Sequence, residues 1–225
     1  RLSGGGTSTG SYNLAAGSTL DLNNGTHNFN AVTLSGAGVF EISGSASFNF
    51  VNLNGGTLGT AVLLSGGRLQ GADHTFAGPV TWTGSVITGA ASTTFNNSLA
   101  ITGAATKQIT GNRVLNVTGT TTWSGNTGAN NNQIEFVGGT INNTGTWNDQ
   151  NGFDSFIDHF TGTNTFNNTS IYNKQSNTVT TVEVVYNNPG TTNVNAGRMR
   201  LSGGGTSTGR YTLGARSTLA LNNRT

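Results

Sequence analysis

Apolar and polar residues alternate along this chain in short runs that end at glycine or asparagine. The clearest are TLDLNNG (19–25), AVTLSGAG (31–38), VFEISG (39–44), SFNFVNLNGG (47–56) and AVLLSGG (61–67). PVTWTG (79–84), LAITG (99–103), RVLNVTG (113–119), QIEFVGG (133–139) and TVEVVYNN (181–188) continue the series. An alternation of period two places one side of a strand inward and the other outward. Glycine and asparagine reach left-handed backbone conformations at low cost, so they mark corners. The runs recur roughly every ten residues, which fits either an antiparallel sandwich with hairpin turns or a β-solenoid of ~20-residue coils stacked in parallel.

The chain also repeats on a longer scale. Residues 1–26 read RLSGGGTSTGSYNLAAGSTLDLNNGT, and residues 200–225 read RLSGGGTSTGRYTLGARSTLALNNRT, at a constant offset of 199. They differ at six of 26 positions: Ser11/Arg210, Asn13/Thr212, Ala15/Gly214, Gly17/Arg216, Asp21/Ala220 and Gly25/Arg224. A unit of that length is too long for one coil, so it contains smaller units and suits linear growth. Gly4, Gly5 and Gly6 persist as Gly203, Gly204 and Gly205, whereas positions 17 and 25 accept arginine. The triplet is therefore expected to need glycine-only backbone angles, and positions 17 and 25 are not. The expected organisation is one solenoid segment, 1–225, belonging to a longer repetitive chain.

Composition favours the solenoid. Charged residues make up 8% of the chain and hydrophobic ones 33%, with 35 glycines. Asn, Thr and Ser fill the difference, and like residues stacked ~4.8 Å apart form uncharged hydrogen-bonded ladders where repeated charges would repel. Evenly spread apolar clusters suit a thin, elongated core. The net charge of +2 and only two prolines argue against disorder. The predicted fold is all-β, a parallel β-helix of about eleven ~20-residue coils and ~50 Å length. One stretch, 143–162 (NTGTWNDQNGFDSFIDHFTG), departs from the pattern. Phe153, Phe156, Ile157 and Phe160 fall at spacings of three and four, which predicts an irregular insertion with a short helical turn.

Few residues suggest chemistry. Absence of cysteine excludes a disulfide scaffold, a thiol catalyst and a cysteine zinc site. His27, His74 and His159 are isolated, and no calcium-loop, phosphate-loop or nucleophile-elbow pattern occurs. No cofactor, metal or catalytic residue is assigned, and no nucleic-acid motif or membrane-length apolar run is present. Asp154 and Asp158, near Asp149 and His159, would share a face of a helical turn and are candidates for glycan contact or polysaccharide cleavage. A solvated face is the alternative. Trp82, Trp123 and Trp147 share the frame TWT, TWS, TWN. As an exposed column they would stack on sugar rings; as an inward column they are core, with each indole N–H on a corner carbonyl. Arg198, Arg200, Arg210, Arg216 and Arg224 form a basic cluster that could contact anions. Thr-x-Thr steps at 120–122, 144–146, 163–165 and 178–180 raise ice binding as a minor alternative.

Units such as LSGGGTSTGSYNLAAGSTLDLNNGTHNF and TTWSGNTGANNNQIEFVGGTINNTGTW resemble the β-strand-repeat regions of very large bacterial surface proteins. These include filamentous-haemagglutinin-like adhesins and autotransporter passenger domains. The resemblance covers nearly the whole chain and lies in repeat style. It implies a secreted right-handed β-helix that acts as an extracellular stalk or adhesive fibre, and it supplies no catalytic residues. Its implied partners are neighbouring repeats, end to end or side by side, and carbohydrate or a cell surface.

Overall fold

Each turn of the chain makes three short strands, and the equivalent strands of successive turns pair in parallel. The computed structural model describes residues 1–129 and 131–222. The first turn contributes Gly6–Ser8, Ser11–Leu14 and Thr19–Leu22. The second contributes Gly25–Asn30, Thr33–Gly36 and Val39–Ile42, stacked on the first in the same order. The pattern persists to Arg198–Leu201, Arg210–Leu213 and Thr218–Leu221. The result is a three-faced parallel β-solenoid, with no helix among the described residues.

The third face is a single ladder of ten strands, from Thr19–Leu22 to Arg210–Leu213. The first and second faces merge in the middle turns. There one long strand, Lys107–Val117, Ile134–Asn143 or Ser155–Asn168, bends across the corner and serves both. The bends fall at Gly111 and Asn112, Gly138 and Gly162, all with positive φ, and the register shifts at the first two. Turn length varies: Phe50 pairs with Arg68, 18 residues on, and Gln108 with Glu135, 27 residues on. Parallel strands need long connections, and here the rest of each turn supplies them.

The alternation read from the sequence sets the inside. Val51, Leu69, Ile87, Ile109 and Phe136 form an inward column on the first face. Leu34, Leu58, Phe76, Phe95 and Val117 form one on the second, and Leu22, Ile42, Leu64, Trp82, Ile101 and Trp123 one on the third. These columns belong to one continuous apolar core from Leu22 to Leu201.

The terminal copies are equivalent in local structure but not in face. Leu2 bridges Leu22 in parallel on the third face, and Leu201 pairs with Leu221 on the first. Gly6–Ser8 lies on the first face, while Ser207, the counterpart of Ser8, bridges Asn188 on the second. The 199-residue unit therefore spans about nine and one-third turns, and the second copy sits one face further round the rod.

Two local expectations are corrected. Residues 143–162 contain no helical turn: Thr146–Asp149 and Ser155–Asn168 are strands in register with their neighbours. The helix-like spacing mixes opposite sides, because Ile157 is buried while Phe153 and Phe160 are 47% and 69% exposed. What remains irregular is the corner at 150–154 and the register shift beside His159. Position 17 does require the left-handed backbone, with φ of 77° at Gly17 and 64° at Arg216. Gly25 also has φ of 90°, and a Cβ there would lie 2.7 Å from the Gly5 nitrogen. Its counterpart Arg224 lies outside the described residues.

Candidate functional site

The residues singled out in the sequence fall in three different places. Trp82, Trp123 and Trp147 are fully buried, so contact with a glycan is ruled out for them and the core reading holds. Their shared frame does not put them in one column. Trp82 and Trp123 share a column through Ile101, but Trp147 pairs with Thr121 in the adjacent one. Two indoles reach corner carbonyls, Trp82 Nε1 donating to Ser85 O at 3.0 Å and Trp123 Nε1 to Asn132 O at 2.9 Å. Trp147 Nε1 has no acceptor; its ring meets Phe166 edge-on at 5.1 Å and stacks on Tyr172 at 6.3 Å.

Asp154 and Asp158 are separated rather than paired. On extended backbone, four residues span about 13 Å, beyond the separation of a glycosidase carboxylate pair. Asp154 is exposed and accepts the Val179 N–H at 2.8 Å. Asp158 is half-buried and stands in register with Glu135 on the preceding turn. The next turn places Glu183 beside it, since Glu183 N donates to Ile157 O. The stacking of turns thus gathers carboxylates far apart in sequence, which linear spacing did not reveal. The threonine steps build no array: Thr122 is followed in its column by Asn148, and Thr146 by Ile171.

Among the arginines, Arg198 and Arg200 point outward from the first face. Arg216 lies at the corner leading into the next strand of that face, and Arg210 begins a strand of the third. Arg224 lies outside the described residues.

The polar residues that the sequence did not flag are inside. The buried guanidinium of Arg113 ties together three turns. Its Nη1 donates to Gly71 O at 2.8 Å, its Nη2 to Ser92 O at 3.0 Å, and its Nε to Thr93 Oγ1 at 3.0 Å. Burial pulls it down to about 10, so it stays charged at neutral pH. It lies 3.1 Å from His74 Nδ1; burial and this cation depress His74 to about 4 and keep it neutral. Buried Lys107 donates to Gly103 O, Ala105 O and Asn132 Oδ1, and burial lowers it to about 8. On the third face, Asp149 and Lys174 replace the apolar residues of the Trp123 column.

Amides complete the arrangement. Asn143 donates to Asn168 at 2.8 Å, and Asn168 to Asn188 at 2.8 Å, continuing inward the column that Val117 ends. The first rung keeps an unpaired Oδ1 because Val117 cannot donate. Outside, Asn187, Asn167, Asn142 and Asn116 form a second ladder at 2.8–2.9 Å. Asn193, Asn173 and Asn148 form a third. An amide in the middle of a ladder both donates and accepts along the rod axis, so it ties a turn to both neighbours without charge repulsion.

None of these clusters assembles a nucleophile, base and oxyanion donor around one open point. Their common effect is to lock turn to turn. No protein-family model, no curated protein and no solved structure matches the chain.

Proposed function

We propose that the chain is a structural segment of an extracellular fibre or stalk, and that it serves by length and stiffness rather than by catalysis. The observation that carries this is the equivalence of the terminal copies. Leu2 pairs with Leu22 as Leu201 pairs with Leu221, so the end of one unit has the local structure of the start of the next. A unit that ends as it begins can be extended by further units, each turn packing chiefly on its neighbours. The interior Asn143–Asn168–Asn188 ladder and the Arg113 peg support that use, since they resist slippage between turns. The resemblance to bacterial surface repeats supports a cell-surface, adhesive setting with self-association as the partner. Negative-stain electron microscopy of the native polypeptide tests this. Unbranched rods of uniform width are expected, and compact isometric particles would refute it.

A further inference from the structure

We propose that the groove between Arg198 and Arg216 binds a tetrahedral oxyanion, the sulfate or phosphate group of an ester. The first observation is the direction in which the two copies differ. Ser11/Arg210, Gly17/Arg216 and Gly25/Arg224 each add a cation, and Asp21/Ala220 removes an anion. Four of the six differences thus shift charge the same way, and the other two are neutral. In the first copy Arg1 Nε lies 3.2 Å from Asp21 Oδ2. Its counterpart Arg200 faces Ala220 across the ladder. The second copy has lost the internal counter-charge and gained Arg216 at the corner that leads into the strand of Ala220.

The second observation is geometric. Arg198 and Arg216 line one groove of about 310 Å³, with Thr178 and Thr218 on its walls. Arg216 holds a left-handed backbone, φ 64°, where the first copy has glycine. A side chain is disfavoured there, yet the second copy places a guanidinium at that corner. The Nε–H of Arg198 reaches no acceptor within the protein. Asp154 also lines the groove; the Val179 N–H at 2.8 Å orients its carboxylate without removing its charge, which offsets one of the two guanidiniums and leaves the other in excess. Paired guanidinium forks match the oxygens of a tetrahedral anion better than a point charge does. The volume suits one such group and part of its ester, and this site does not depend on the fibre reading.

Arginine Nε–H resonances followed during titration with sodium sulfate and with sodium phosphate, at constant ionic strength, test the proposal. Saturable shifts at Arg198 and Arg216 are expected, and the tighter anion names the ester class. Arg216→Gly restores the residue that the first copy tolerates, so folding is preserved; it should weaken binding about tenfold or more. Ala220→Asp restores the first copy's carboxylate and should weaken it as well. Arg210→Ser, on another face, should change it less than about twofold. Linear, unsaturating shifts would overturn the proposal. So would equal losses from Arg210→Ser and Arg216→Gly, which would mean net charge alone attracts the anion.

Discussion

Lys174 stands in register with Asp149 on the preceding turn, both fully buried, yet the two are hydrogen-bonded to different partners. Lys174 Nζ donates to Ser176 O at 2.6 Å, Ser176 Oγ at 2.7 Å and Thr178 Oγ1 at 3.1 Å. Asp149 accepts from Thr180 Oγ1 at 2.5 Å and Tyr172 Oη at 3.2 Å. Burial pushes the Asp149 carboxyl up and the Lys174 ammonium down, and each charge opposes the other's shift. The pair is therefore coupled through space rather than by direct contact. Lys174→Met or Asp149→Leu alone should cost about 3–5 kcal/mol, because either leaves a buried charge without its counter-charge. The double variant should cost at least 1 kcal/mol less than the sum, as read from urea unfolding in a double-mutant cycle. Additive losses would show that the two charges are independent.

The inner and outer amide ladders should differ in energetic weight. Asn168 is buried and links Asn143 to Asn188, and it also donates to Thr191 O at 3.0 Å. Asn168→Ala strands polar groups on both neighbouring turns and should cost about 2–4 kcal/mol. Asn167 performs the same exchange on the half-exposed outer side, where water replaces the lost bonds. Asn167→Ala should cost under about 1 kcal/mol. Equal losses in thermal unfolding would contradict this division.

His74 should set part of the acid limit. Its folded-state value near 4 lies below the ordinary 6.5, so the unfolded chain binds the extra proton between those values. Stability should be insensitive to His74 above pH 6.5. It should fall as pH drops from 6.5 to 4, by about 3 kcal/mol at most. His74→Gln should flatten that limb of the stability profile, and an unchanged slope would show that the imidazole does not titrate there.

The tryptophans give an optical check on the inside. All three are shielded from water, so native emission should be blue-shifted and resist iodide quenching. Neutral or acidic glycans should leave it unchanged. Quenching of a native indole by iodide would contradict the burial.

Strand position and parity were legible in the sequence because each turn repeats the same in-out alternation. Residues such as Val51, Leu69 and Ile87 follow from it directly. The register between turns was not legible, because turn length runs from 18 to 27 residues. Three similar local frames consequently put Trp147 in a different column from Trp82 and Trp123. The buried charges were hidden for a related reason: Asp149, Lys174 and Arg113 occupy inward parity, but their polarity reads as outward. The basic cluster was visible in sequence as a tally of arginines. Its division between faces, and the groove shared by Arg198 and Arg216, needed the corner at Arg216.

The central claim is that the 199-residue unit is about nine and one-third turns of one solenoid, so that units continue end to end with a one-face advance. Solution X-ray scattering of this chain and of one carrying a second 199-residue unit tests it most directly. At ~4.8 Å per turn, the maximum dimension should grow by about 45 Å with an unchanged cross-sectional radius. A larger cross-section with little gain in length would mean that the units fold back or pack side by side, and would contradict the account.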